Sequence, residues 1–196
     1  MTRVIDRGAI TAAYVGIGMA VTIGISFLLV IPIEPIYWLL ALPAGALIGY
    51  YANQRSDRRA GPWSRIVANA LFAGLVTALT LALLLLAVKA LFFFADSGYP
   101  DFNRVDPKTH AVVPPLCDSG APCVYARYLA NGSGPEFVAA GINDVNDFTN
   151  LYWTQQFRTA GALIVLTTLG GLAGGLAYGV TRPKSGARAP LEGARA

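Results

Sequence analysis

The chain has 196 residues, of which 55% are hydrophobic and only 13% are charged, and its mean hydropathy is +0.51. This charged fraction is about half that of an average soluble domain, which argues against a water-soluble globular protein and makes lipid the expected solvent. The formal net charge of +4 comes from basic residues confined to particular segments. Because they form no contiguous basic face interleaved with aromatic residues, nucleic-acid binding is not expected.

The first apolar segment covers about residues 10–31 and contains no ionisable side chain. At about 1.5 Å per residue it is long enough to cross a hydrocarbon core of about 30 Å. A cleaved signal peptide is the alternative, because Arg3 and Arg7 precede the segment. The apolar run is too long for a signal peptide, however, and Pro32 follows it in place of a small-residue cleavage site. A retained helix is therefore predicted.

A second apolar segment, about residues 36–52, follows a short turn in which Pro32 and Pro35 bracket Glu34. The residue before a proline avoids the α conformation, so the first helix should stop here and a tight hairpin should follow. Pro43 lies within the second segment and should kink its helix, because proline has no backbone N–H to donate.

Two more apolar segments, about residues 66–95 and 158–181, complete the set. Four such segments predict an all-α membrane protein, with four transmembrane helices in a bundle. The sequence then divides into four parts. These are a membrane part at 1–95, a loop at 96–157, the fourth helix at 158–181, and a flexible basic tail at 182–196.

Basic residues lie in the segments that a four-helix threading places on one side of the membrane. They precede the first helix, fill the loop between the second and third, and follow the fourth: Arg3, Arg7, Arg55, Arg58, Arg59, Arg65, Arg182, Lys184, Arg188 and Arg195. Since such residues favour the cytoplasmic side, both termini are expected in the cytoplasm and the acidic loop outside it. The abundance of alanine, glycine and arginine suggests a bacterial plasma membrane.

Small residues recur at four-residue intervals in the predicted helices. In the fourth helix Gly171, Gly175 and Gly179 form one stripe, and Gly170 and Gly174 lie on an adjoining stripe. Helices in lipid associate by close packing at such residues. Packing within the bundle is the favoured interpretation. The alternative is docking onto another membrane subunit or a second copy of the chain.

Lys89 is the one charge inside the predicted third helix. Its side chain is long enough to carry the ammonium group to the membrane interface; the alternative is an ion pair with Glu34 or a loop acid. Asn69 is expected to cap a helix or to bond between helices. No row of acids or histidines crosses the helices, which disfavours a proton-driven transporter. A passive route lined by hydroxyl groups stays open as an alternative: Thr77, Thr80, Thr167 and Thr168.

The loop of about 60 residues is too long for a simple connector and contains both cysteines, Cys117 and Cys123. The intervening sequence is turn-rich, and the outer side of the membrane is oxidising, so a structural disulfide is predicted. The alternative is a membrane thiol oxidoreductase. Its redox pair would call for Cys-x-x-Cys spacing, whereas five residues separate these two cysteines.

One helix is predicted within the loop. Ser133 and Glu136 flank a glycine and a proline in the pattern of a capping box, and apolar residues then recur at intervals of three and four: Val138, Ile142, Val145, Phe148 and Tyr152. This pattern predicts a short amphipathic helix lying on the membrane surface or on the loop's own core.

The sequence carries no motif for a nucleotide, haem, flavin or metal. The single histidine, His110, has no companion at metal-ligand spacing, so no cofactor is expected. These observations favour a non-enzymatic accessory or assembly subunit that contacts a partner through its outer loop. A small carrier or channel and the thiol oxidoreductase are the alternatives.

Overall fold

The computed structural model describes residues 4–26, 34–57, 61–96, 106, 108–111 and 117–181. Within these ranges the chain is helical and contains no strand, so the predicted all-α class is confirmed. The helices are α1 (Arg7–Gly24), α2 (Glu34–Arg55), α3 (Trp63–Ala95), α4 (Ala121–Tyr128), α5 (Gly134–Ala139) and α6 (Val145–Thr181). The segment Leu129–Ser133 joins α4 to α5 and is kinked at Gly132, where φ is 92°. Of these, α1, α3 and α6 are long and apolar enough to cross a membrane, which indicates a membrane protein.

The four long helices form the body of the molecule. α6 packs against α2 and α3, and α1 packs against the same two helices. α2 and α3 therefore lie between α1 and α6. Alanine and glycine dominate the buried face of α1, which lets its backbone approach its neighbours closely. Large apolar side chains such as Leu83 and Val165 face outward, as expected where the solvent is lipid.

The long helices begin earlier than the apolar segments alone predict. α1 begins at Arg7, directly after Asp6, and α3 begins at Trp63, directly after Pro62. α2 extends from Glu34 to Arg55, and Pro43 lies inside it with helix on both sides. Glu34 and Pro35, predicted to lie in the turn, are the first two residues of α2. Pro32 lies outside the described residues, as does the predicted flexible tail at 182–196.

The largest difference concerns α6, which begins at Val145 rather than near residue 158. It continues without a break for 37 residues to Thr181, a length of about 55 Å at the usual rise per residue. The polar residues Gln155 and Arg158 lower the local hydropathy and so hide this extension from a search for apolar segments. Both side chains are exposed, so a helix that continues beyond the lipid can carry them.

Candidate functional site

The residues between Cys117 and Asp144 form a small folded unit, called the cap below. It lies over the C-terminal end of α3 and the first turns of α6. Its core is an aromatic cluster shared by the cap, α3 and α6: Phe93, Val124, Phe137, Ile142, Phe148 and Tyr152. Phe93 of α3 is 0% exposed, and its ring centroid lies 4.6 Å from that of Tyr152. Phe148 of α6 joins these rings to the cap, because its centroid lies 5.3 Å from those of Tyr125 and Tyr128.

The predicted amphipathic helix of the loop is interrupted. α5 ends at Ala139, Gly141 adopts a positive φ of 73°, and the chain turns before α6 begins. Asp144 forms the new start, because its Oδ1 accepts hydrogen bonds of 2.8 Å from the backbone N–H groups of Asn146 and Asp147. A stretch of apolar residues with helical spacing is thus divided by a glycine and an N-cap, the two signals that end and begin helices.

This break changes which loop residues are buried. Ile142, Phe148 and Tyr152 enter the aromatic cluster, whereas Val138 is 73% exposed. Ser133, expected to cap the helix, makes no side-chain cap hydrogen bond. The spacing therefore identified most of the buried residues of this region but not the element to which each belongs.

Cys117 and Cys123 are joined by a disulfide, with a sulfur–sulfur distance of 2.04 Å. Gly120 lies between them with a positive φ of 88° and allows the tight turn that brings them together. Cys123 lies in the first turn of α4 and is buried. The disulfide therefore fixes the start of α4 to the segment that precedes it.

Arg127 is a buried cap residue that the sequence analysis did not single out. It is 5% exposed, and its Nε and Nη2 atoms are shielded from water and have no hydrogen-bond partner. It follows Cys123 and Val124 by four and three residues, so all three side chains lie on one face of α4. Eight residues are too few for such a face to stand out as a periodic pattern.

The glycines of α6 contact two different helices. A Cβ atom added at Gly170 or Gly174 would overlap a backbone carbonyl oxygen of α2. A Cβ atom added at Gly171 would lie 3.0 Å from the Cα of Gly74 in α3. Gly175 and Gly179 likewise lie against α3, at Ala70 and Trp63 respectively. All five glycines therefore pack within the chain.

A polar cluster joins the helices at the end of the bundle that holds Arg55 and Arg65, called the arginine end below. Asn53 is 0% exposed, and its Nδ2 donates hydrogen bonds of 3.1 Å to the carbonyl oxygens of Gly49 and Ile66. It therefore links α2 to the start of α3. Asn69 makes the interhelical contact that was expected of it, with Asp6 as its partner.

The remaining candidate residues do not meet in one place. Lys89 lies half-buried in α3. Glu34 is the first residue of α2, but its side chain lies outside the described part of the chain, so the predicted pairing is not tested. His110 is exposed in a short turn in which its N–H donates to the carbonyl oxygen of Asp106. Within the described ranges no three histidine, cysteine or acidic residues are placed to hold a metal ion.

The threonines considered as a hydroxyl-lined route divide into two pairs. The hydroxyls of Thr77 and Thr80 donate hydrogen bonds of 2.9 Å to carbonyls of their own helix. Those of Thr167 and Thr168 are buried and have no partner. Two surface grooves flank α1, and both are lined mainly by apolar side chains.

Comparison with known proteins places the chain in no family. No family model, no curated protein and no solved structure matches it. The geometry of the cap and of the helix contacts is therefore the basis for a functional proposal.

Proposed function

We propose that this chain is a four-span protein of a bacterial plasma membrane that acts as a non-enzymatic accessory or assembly subunit. In this proposal both termini lie in the cytoplasm, and the cap on the outer face binds a partner membrane protein. The single observation that carries the proposal is that the cap packs on α3 and α6 through a shared aromatic core and contains a disulfide. A passive connector between two helices requires neither feature.

The topology is supported by the positions of basic residues. Arg7, Arg55 and Arg65 lie at the starts of α1 and α3 and the end of α2, and these ends meet at the arginine end. The cap lies at the opposite end of α3. If α2 also crosses the membrane, together with α1, α3 and α6, all the basic helix ends lie on one side. The positive-inside rule makes that side the cytoplasmic one. A reporter enzyme fused after Gly120 should then be active only outside the cytoplasm.

The surface of the cap supports a docking role. Val138 is 73% exposed and Leu129 is 41% exposed, and exposed acids lie along the same segment at Glu136, Asp144 and Asp147. Apolar residues bordered by charge are typical of surfaces that bind other proteins. The glycine stripes of α6 are already occupied by α2 and α3. This leaves the cap as the favoured contact surface.

The test is the native mass of the full chain after extraction from membranes in a mild detergent. We expect a discrete complex larger than one chain. Val138→Asp should reduce it to the single-chain mass, because the new carboxylate would be buried at the contact. Asn150→Asp adds the same charge at an exposed position on α6 and should leave the complex intact. A wild-type protein that runs as one chain under these conditions would contradict the proposal.

A carrier or channel is the second candidate, and the unpartnered hydroxyls of Thr167 and Thr168 are the observation in its favour. Buried hydroxyls without partners in the middle of a helix could bind a polar solute or water. Flux of small solutes into proteoliposomes containing the purified chain tests this candidate. Thr167→Val should reduce such a flux, whereas Thr181→Val, at the exposed end of α6, should not.

A further inference from the structure

We propose that Arg127 is a binding site for a phosphate group, supplied by an anionic phospholipid headgroup or by free phosphate. The observation behind it is a charged side chain buried in the cap with two unpartnered donors on one edge. A guanidinium keeps its charge in folded proteins, and burying a charge without a partner is costly. The inference rests on the proposed membrane placement of the cap but not on the proposed protein partner.

The two unpartnered atoms, Nε and Nη2, share one edge of the guanidinium. Their N–H bonds run nearly parallel along that edge, at a spacing that matches two oxygens of a single oxyanion. Two isolated donors pointing in different directions would indicate only imperfect packing. Two parallel donors on one edge are the arrangement with which arginine binds phosphate and carboxylate groups.

The described acids of the cap do not fill this edge. The carboxylate of Asp144 accepts backbone hydrogen bonds at the start of α6, and that of Asp147 accepts one from the N–H of Asn143. Glu136 and Asp118 are exposed, whereas Arg127 is 5% exposed. The group that accepts hydrogen bonds from Nε and Nη2 of Arg127 therefore comes from outside the described part of the cap.

The level of Arg127 along the bundle favours phosphate over other oxyanions. Val124, one turn earlier in α4, shares a cluster with Phe93 of α3. The neighbouring Phe94 and Phe157 are 57% and 60% exposed, and Phe94 stacks on Trp153. Among these rings tryptophan is the type that collects at the headgroup level of a bilayer, where phosphate is the abundant oxyanion.

Both donor atoms are shielded in the structure, so binding requires a small displacement of α4. The segment that holds Arg127 is flanked by two glycines with positive φ, Gly120 at 88° and Gly132 at 92°. A Cβ atom added at either glycine would have no other group within 4 Å. A shift of α4 at these glycines would carry Val124 with it and, through the disulfide, Cys117, while α6 stays in place.

The experiment measures the midpoint of thermal unfolding of the full chain in a phosphate-free maltoside detergent. The probes are inorganic phosphate and, separately, phosphatidylglycerol in mixed micelles, each against chloride at equal ionic strength. We expect at least one probe to raise the midpoint of the wild type. A rise with phosphatidylglycerol alone identifies the lipid as the source, and a rise with inorganic phosphate identifies a free-anion site; both support the proposal.

Arg127→Gln should weaken the apparent affinity by at least about tenfold, or about 1.4 kcal/mol. Arg127→Lys keeps the charge but loses the bidentate edge and should also bind more weakly. Arg158→Gln, which removes an exposed charge from α6, should behave as wild type. Far-UV circular dichroism checks that each variant folds. If Arg127→Gln does not fold, the affinity of Arg127→Lys decides the outcome.

The proposal is overturned if neither probe raises the wild-type midpoint, or if the rise is the same in the folded Arg127 variants. Its failure can be distinguished from that of the proposed function. A chain that binds phosphate through Arg127 but runs as a single chain contradicts only the accessory role. A complex that forms without any Arg127-dependent binding contradicts only this inference.

Discussion

Asp6 and Asn69 are 63 residues apart in the chain and are joined by two hydrogen bonds. The backbone N–H of Asp6 donates to Oδ1 of Asn69 at 3.1 Å, and Nδ2 of Asn69 donates to the carboxylate of Asp6 at 2.7 Å. Asn69 is fully buried. The residue before α1 is therefore held by an amide inside α3, which fixes the start of the first helix against the third.

Replacing Asn69 by alanine should lower the free energy of unfolding by about 1–3 kcal/mol, because it removes both of the partly buried hydrogen bonds between Asn69 and Asp6. Thermal unfolding of the detergent-solubilised chain measures the loss. Asn150→Ala is the matched control, since Asn150 is exposed on α6. Equal unfolding midpoints for the two variants would show that the contact with Asp6 contributes no stability.

Gly174→Ala should destabilise the bundle by about 1–3 kcal/mol, the usual cost of overpacking. The added methyl group would overlap the carbonyl oxygen of Ala46, a backbone atom that cannot move aside without shifting α2. Gly161→Ala on the same helix is the control, because nothing lies within 4 Å of its added Cβ. The control should be neutral or more stable by up to about 1 kcal/mol.

Phe93→Ala should loosen the cap, with a loss of about 3–5 kcal/mol for a fully buried phenylalanine. Amide hydrogen exchange, read at the residues of α4, measures the effect locally. Phe157→Ala removes the same side chain from a site that is 60% exposed and should change exchange little. Unchanged protection of α4 in the Phe93 variant would mean that the cap does not depend on α3.

Replacing Cys117 and Cys123 by serine should destabilise the cap by roughly 2 kcal/mol, the chain-entropy effect of a short disulfide loop. We expect faster limited proteolysis within the cap and little change in the long helices. Reduction of the wild type should give the same proteolytic pattern. A thiol oxidoreductase predicts the opposite result, in which activity disappears while the resistance of the cap to proteolysis is retained.

The turn that contains Asp106 should respond to acid. Its carboxylate accepts hydrogen bonds from the backbone N–H groups of Lys108 and Thr109, at 2.8 and 3.1 Å. These bonds lower the pKa of Asp106 below its ordinary value of 3.8. Because the folded-state pKa is the lower one, the turn is stabilised above pH 3.8 and loses that stability as the pH falls through the folded-state pKa.

This pH effect can be followed in the amide resonances of Lys108 and Thr109, which should shift together at acidic pH and stay constant near neutrality. The variant Asp106→Asn has no carboxylate to titrate and should remove the transition. A transition centred above pH 3.8 in the wild type would contradict the assigned hydrogen bonds.

Much of the helical body could be predicted from the sequence, because long apolar segments identify helices in lipid. The leucine-rich part of α3 is an example. Gly171 and Gly174 could also be assigned to close helix contacts, since small residues at four-residue spacing have few other uses in a membrane. Which neighbour each glycine contacts could not be predicted, because that depends on the rotation of α6 about its axis.

The cap was less predictable for two physical reasons. Hydropathy detects apolar segments of the chain. It does not detect the early start of α6 at Val145, because polar residues such as Gln155 and Arg158 interrupt the apolar run. The burial of Arg127 depends on contacts between distant segments, and arginine is seldom buried without a partner. Pro122, in the first turn of α4, is a local signal that a helix begins there.

The unbroken course of α6 has a mechanical consequence. A single helix of 37 residues behaves as a stiff rod, so a push or a twist applied to its first turns is transmitted along its whole length. Gly170, Gly171 and Gly174 lie against backbone atoms of α2 and α3, so a sliding motion soon meets main-chain atoms. A partner that displaced the first turns of α6 would therefore be resisted by the backbones of α2 and α3.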